Sequence, residues 1–175
     1  GMAYATRTDE AERETLLAAF GPVWDANEVW IVAFGTTLLA AFPAVYSLLL
    51  GEHYLLSLGA VIALVFRGVA PELREQRSDQ RWQRACDRSF VFGSTVAPLL
   101  LGTLVGSWVF GTGTRALPSV LTGLAIVALS LTSGTAFVAA KTSGSLAGDM
   151  RRLGIRGTAG YLLVVVVLLG PLAET

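Results

Sequence analysis

The sequence has 175 residues, 53% of them hydrophobic and only 15% charged, with 13 basic and 13 acidic side chains and a formal net charge of zero. A soluble domain carries nearer a quarter charged residues, so a soluble fold is set aside. One cysteine, Cys86, excludes an internal disulfide and a cysteine metal cluster, and one histidine, His53, leaves no histidine pair for haem or metal.

In chain order, the opening segment is charged (Arg7, Asp9, Glu10, Glu12, Arg13, Glu14) rather than apolar, so no signal peptide is expected. Charge-free runs then follow from Val29 to Gly51, Ser89 to Thr114, Ala116 to Ala140 and Gly157 to Ala173, while His53 to Val69 is interrupted only by Arg67. Crossing a hydrocarbon core of ~30 Å takes ~20 apolar residues at ~1.5 Å each. The expected fold is all-α: a polytopic transmembrane helical bundle of about five membrane-spanning helices. It forms a single domain over 1–175, with spans at about 27–50, 53–70, 89–110, 116–140 and 157–172. Pro43 and Pro98 lie inside spans and are expected to kink them. Gly102 and Gly106 form a G-x-x-x-G pair that lets helix backbones approach closely.

The segments between these spans alternate between two sides. One side receives Arg7, Arg13, Arg74, Arg77, Arg81, Arg84, Arg88, Lys141, Arg151, Arg152 and Arg156; the other receives Arg115. The positive-inside rule makes the crowded side cytoplasmic. Topology accounts for the basic clusters, which leaves no surplus for a nucleic-acid surface. In the basic arm 72–88, Arg74, Arg77, Arg81, Arg84 and Arg88 recur at helical spacing with Trp82 among them. That pattern suits an arm touching anionic lipid heads, or a docking surface for a partner subunit.

Charged groups at membrane depth are candidate functional residues. Asp25 and Glu28 precede the first span at a spacing that suits an N-cap with a carboxylate at N3. The same carboxylates, at the mouth of a bundle, could also take up and pass on protons. Arg67, one turn before Pro71, either snorkels to the interface or pairs with Asp25, Glu28 or Glu72. Asp87 opens the next span as a cap or dipole partner, and Glu72 sits at the cytoplasmic edge. No nucleophile elbow or phosphate loop is present, and no catalytic or metal-binding residue is assigned. His53 falls on an external turn.

Gly21-Pro22-Val23-Trp24-Asp25-Ala26-Asn27-Glu28-Val29-Trp30 resembles the GPVWDGNEVW signature of subunit II of cytochrome bd quinol oxidases, with Ala26 where glycine is usual. Four further stretches are similar to family motifs in the same order: Ala41 to Tyr46, Phe66 to Arg74, Cys86-Asp87 with Phe92-Gly93-Ser94 and Pro98, and Gly134 to Phe137 with Lys141-Thr142 and Gly144. At Pro71 an aromatic residue is common in the family. The resemblance implies a subunit that binds no cofactor itself and packs against subunit I, which carries haems b and d. The pair would oxidise quinol, reduce dioxygen to water and take protons from the cytoplasm. It further implies a multi-pass protein of a prokaryotic cell membrane, in contact with lipids and quinone.

By the same resemblance, Asp25 belongs to a proton path with Trp24 and Glu28 beside it, and Arg67, Glu72 and Asp87 are ion-pairing or path-lining. Family members are considerably longer, so the chain resembles a partial or truncated member. Two alternatives stand beside this reading: a small secondary transporter or channel-like protein, and an inactive truncated subunit.

Overall fold

A computed structural model describes residues 1–7, 9–110 and 116–173, with side chains described throughout except those of Glu10, residues 20–28 and residues 171–173. The described elements are α1 (Met2–Ala5), α2 (Glu10–Ala41), α3 (Pro43–Tyr46), a π-helical turn (Ser47–Gly51), α4 (Tyr54–Glu75), α5 (Gln80–Phe110), α6 (Ala116–Lys141) and α7 (Gly144–Ala173). Among the described residues, four helices are long and apolar enough to cross a bilayer, and α2 adds the shorter apolar run Val29–Ala41. The protein is a multi-pass helical membrane protein. At ~1.5 Å per residue the 22 residues of α4 extend about 33 Å, enough for the hydrocarbon core.

The helix ends differ from those expected. α2 starts at Glu10, not near residue 27, because Asp9 caps it by accepting the Ala11 N–H at 3.2 Å. Its first residues, rich in Glu, Ala, Leu and Arg, are strong helix formers. The expected first span also does not run unbroken to residue 50. Pro43 lacks an N–H and pushes the preceding residue out of the helical region, so Phe42 (φ −137°, ψ 60°) interrupts the chain, and a short α3 and the π turn follow. The expected kink at Pro43 is a break. Pro71 and Pro98, by contrast, lie inside α4 and α5, so Pro71 does not end its helix.

The basic arm 72–88 is not one helical stripe. Arg74 closes α4, a turn covers Gln76–Asp79, and Arg81, Arg84 and Arg88 belong to α5. Trp82 braces that turn: its Nε1 donates to the Leu73 carbonyl at 2.7 Å, and Arg77 stacks over its ring at 5.0 Å.

α4 packs on α5, α5 on α6 and α6 on α7, as successive antiparallel neighbours. The α5–α6 crossing is close. A Cβ on Gly102 would stand 2.8 Å from the Gly123 Cα, and one on Gly106 would stand 2.7 Å from the Ser119 Cα. The G-x-x-x-G pair therefore does face a neighbouring backbone. Gly144, at φ +73°, supplies the left-handed turn between α6 and α7.

Among the described residues, a cluster of buried apolar side chains (Tyr4, Leu16, Ala70, Phe90, Val138, Ala139, Leu146 and Met150) sits at one end of the bundle, where six helices meet. Along the spans the pattern is inverted, with large apolar side chains such as Trp30, Leu55 and Leu163 facing outward at 75%, 81% and 67% exposure. Outward apolar faces are what a hydrocarbon solvent requires.

Candidate functional site

The polar interactions concentrate at the end where that core lies. Asp87 is their centre. Its Oδ1 accepts from the Tyr4 hydroxyl at 2.6 Å and from Arg74 Nε at 2.9 Å, and its Oδ2 accepts from Arg13 Nη1 at 3.3 Å. Three donors from three separate segments thus converge on one carboxylate, whose side chain is only 12% exposed. Arg13 does more: its Nε donates to the Arg7 carbonyl at 2.8 Å, and its guanidinium lies 5.1 Å over the Tyr4 ring. Tyr4 packs edge-on against Phe90 at 5.7 Å. Arg7 extends the network to α7 by donating to Asp149 at 2.9 Å, with a longer contact to Glu12 at 3.4 Å.

Burial, and then the neighbouring Asp87 carboxylate, push the Tyr4 phenol above its ordinary range, because both disfavour a second negative charge there. The neutral hydroxyl is the form that can donate to Asp87. The cluster therefore ties together the N-terminal segment, α4, α5 and α7 at one membrane face, with charge-assisted hydrogen bonds where water is scarce.

About two turns deeper lies a second feature. A Cβ on Gly93 would stand 2.6 Å from the Arg67 nitrogen and 2.8 Å from the Arg67 Cβ, so glycine lets α5 pass directly under Arg67. Pro71, four residues on, has no N–H to give to the Arg67 carbonyl. The adjacent Ser94 is 8% exposed, and its Oγ is buried with no hydrogen-bond partner. Arg67 and Ser94 both line a cavity of about 810 Å³ bounded by α1, α2, α4, α5 and α6.

The residues singled out in the sequence separate as follows. Asp87 is neither a cap nor at a helix start: α5 begins at Gln80, and Asp87 is a buried acceptor inside it. Asp25 and Glu28 are not at a helix start either, since the backbone of α2 is helical from Glu10. Their side chains and that of Trp24 lie outside the described residues, as does any pairing of Arg67 with them. Arg67 is half-buried at the cavity wall. Glu72 is exposed on α4, and no ion pair reaches it among the described residues. His53 lies in the turn between the π-helical segment and α4. Among the described residues no three His, Cys, Asp or Glu side chains gather as a metal centre needs.

Sequence reasoning missed Tyr4, Arg7, Arg13, Asp149 and Ser94. Tyr4 and Asp87 are 83 positions apart, and no periodicity links them. Only the crowding of the basic segments on one side hinted that the N-terminal arm and the loops would meet.

Comparison with known proteins agrees with this architecture. Residues 1–173 match the cytochrome bd terminal oxidase subunit II family. The chain is 30% identical to the cytochrome bd ubiquinol oxidase subunit 2 of Bacillus subtilis (strain 168), over 99% of this chain and 56% of that protein. It is 31% identical to the cytochrome bd-I ubiquinol oxidase subunit 2 of Escherichia coli (strain K12), over 59% of this chain and 27% of the relative. A probable cytochrome oxidase subunit 2 of Haemophilus influenzae is 28% identical over 58% of this chain and 27% of its own length. The chain spans about half the length of the first of these relatives, and its match to the others covers about a quarter of theirs. With a match that runs across nearly all of a helical membrane bundle, the chain belongs to the cytochrome bd terminal oxidase subunit II family.

Proposed function

We propose that the chain serves as a haem-free membrane subunit of a bd-type quinol:oxygen oxidoreductase, supporting subunit I in quinol oxidation and oxygen reduction and helping protons enter from the cytoplasm. The observation that carries this reading is the family match over residues 1–173. The arginine-crowded end of the bundle is the cytoplasmic one in this reading, by the positive-inside rule. Haems b and d are assigned to subunit I, where they would supply the electron transfer and the oxygen chemistry.

The part assigned to this chain is proton entry at Asp25, with Trp24 and Glu28 beside it. Two features of α2 support that assignment. Asp25 stands about 18 Å along the helix from Arg13, which is held in the polar cluster, at ~1.5 Å per residue. One turn beyond it begins the apolar run Val29–Ala41. A carboxylate at that border is where a proton would leave water for the bundle. Arg67 and Glu72 on α4 are assigned to the lining of the same region, and Asp87 to holding the segments around it. Subunit I, membrane lipids and quinone are the partners this reading names.

The test is co-expression of the chain with a bd subunit I. A haem-bearing complex with quinol oxidase activity that depends on this chain is the expected result; spectra and activity that do not change with its presence would sink the proposal. Within an assembled oxidase, Asp25→Asn should slow turnover roughly a hundredfold, the lower end of a proton-transfer contribution, with haem content retained.

A further inference from the structure

We propose that a pocket at the arginine-crowded end of the bundle, framed by Arg13, Arg74 and Arg84, binds one negatively charged phosphate group, as carried by an anionic lipid head or by free phosphate. The site is separate from the cavity beneath Arg67. It goes beyond the oxidase reading and rests only on the protein's being in a membrane.

Charge is the first argument. Three helices bring a guanidinium to this pocket: Arg13 from α2, Arg74 from α4 and Arg84 from α5. Two carboxylates share its wall, Asp87 and the exposed Glu14, so the lining carries a net positive charge. Asp87 already serves both Arg74 and Arg13, whose side chains are 12% and 23% exposed, so two partly buried cations depend on one carboxylate. Arg84 pairs with no carboxylate among the described residues; its Nε donates to the Gln80 carbonyl at 3.1 Å, within its own helix. Positive charge that is partly out of water and incompletely matched is costly, and a bound anion offsets that cost.

Donors and depth are the second argument. A guanidinium has five N–H donors, and Arg13 engages Asp87 and the Arg7 carbonyl with two of its own. Arg84 and Asp87, three residues apart, share one face of α5, and the Gln80 and Gln83 amides line the same pocket. Donors that approach from three helices suit phosphate, whose oxygens point in several directions, better than a planar carboxylate. Asp87 stands about 3 Å, and Arg84 about 7–8 Å, before the charge-free run that opens at Ser89, at ~1.5 Å per residue. Arg74 stands about 6 Å beyond Ala70 on α4. The head-group layer fills roughly 5–8 Å outside the hydrocarbon core, so the pocket lies at the level of lipid phosphates. Basic pockets between transmembrane helices bind anionic head groups in this way.

The experiment reads lipid retention on the full chain alone, by native mass spectrometry in detergent, so failure of an oxidase reconstitution does not bear on it. The probes are dioleoyl-phosphatidylglycerol, the phosphatidylcholine with the same chains, and inorganic phosphate as a competitor. The expected result is one phosphatidylglycerol per chain, preferred over phosphatidylcholine by about tenfold. Arg84→Gln, which breaks no contact between helices, should cut that preference about fivefold, the effect of one basic residue beside an anionic head group. Glu14→Gln removes a repelling carboxylate and should raise it about twofold, a gain that misfolding cannot produce. Arg81→Gln, exposed on α5 but off the pocket wall, should leave it unchanged. Retention that excess inorganic phosphate leaves intact assigns the group to a lipid head, whereas displacement of the lipid by phosphate assigns it to the free ion; either outcome upholds the site. Equal losses in Arg81→Gln and Arg84→Gln would mean a diffuse basic surface and would overturn the proposal, as would equal retention of the two lipids.

Discussion

Replacing Asp87 by asparagine removes one charge while keeping the side chain's shape, and the structure sets the size of the effect. The Arg74 contact, at 2.9 Å with both side chains 12% exposed, is a charge-assisted bond largely out of water and contributes about 1.5–3 kcal/mol. The Arg13 contact, at 3.3 Å with Arg13 23% exposed, adds less than about 1 kcal/mol. The Tyr4 hydroxyl can still donate to the amide oxygen, so that bond is weakened rather than lost. Asp87→Asn should therefore destabilise the bundle by about 2–3 kcal/mol. Asp87→Ala, which takes the carboxylate away from Arg74, Arg13 and the Tyr4 hydroxyl together, should cost about 3–4 kcal/mol. The assay is loss of helical circular dichroism on titrating dodecyl sulfate into detergent-solubilised protein. Combining Asp87→Asn with Arg74→Gln should give a non-additivity of roughly 1–2 kcal/mol. An effect of Asp87→Asn below about 0.5 kcal/mol, or additivity with Arg74→Gln, would refute Asp87 as the hub.

Tyr4→Phe should cost about 1 kcal/mol near neutral pH by the same assay. Because the phenol is raised above the ordinary value of about 10, its contribution is present at neutral pH and is lost as pH climbs beyond that value. The variant should flatten the alkaline fall in stability and remove the latest-titrating phenol from a 295 nm absorbance titration. Asp149→Asn, whose partner Arg7 is 16% exposed but which is itself 44% exposed, should cost less than about 1 kcal/mol, and salt should shrink the effect further. Gly106→Ala should destabilise by about 1–3 kcal/mol, since its Cβ would stand 2.7 Å from the Ser119 Cα, as unfolding titrations will show. Gly160→Ala, with nothing within 4 Å, should be neutral or stabilise by up to about 1 kcal/mol.

Helix content and the crossing of the membrane were legible in the sequence because hydropathy is a local property. A run such as Ala116 to Ala140, free of charge, can satisfy its backbone in a bilayer only as a helix, and α6 occupies that run. The grouping of the arginine-rich segments at one end was legible as well. Arg7, Arg13 and Arg74 do meet carboxylates from other segments there, since each span reverses the chain and every second connection returns to the same face. Even Gly102 and Gly106 could be identified in advance, because a four-residue spacing already puts both on one face of a helix.

Other properties depended on partners far away in the chain. Asp87 looks like a helix cap when only its neighbours are considered, and became an interior acceptor once residues 4, 13 and 74 arrived around it. Pro43 breaks its helix while Pro71 and Pro98 do not, a distinction that their ring chemistry alone cannot make, because surrounding helices decide whether the lost hydrogen bond is tolerated. The cavity beneath Arg67 belongs to no single segment. It exists because α2 packs chiefly on α6, away from the α4–α5 pair, and that spacing is set by packing between helices rather than by the pattern along any one of them.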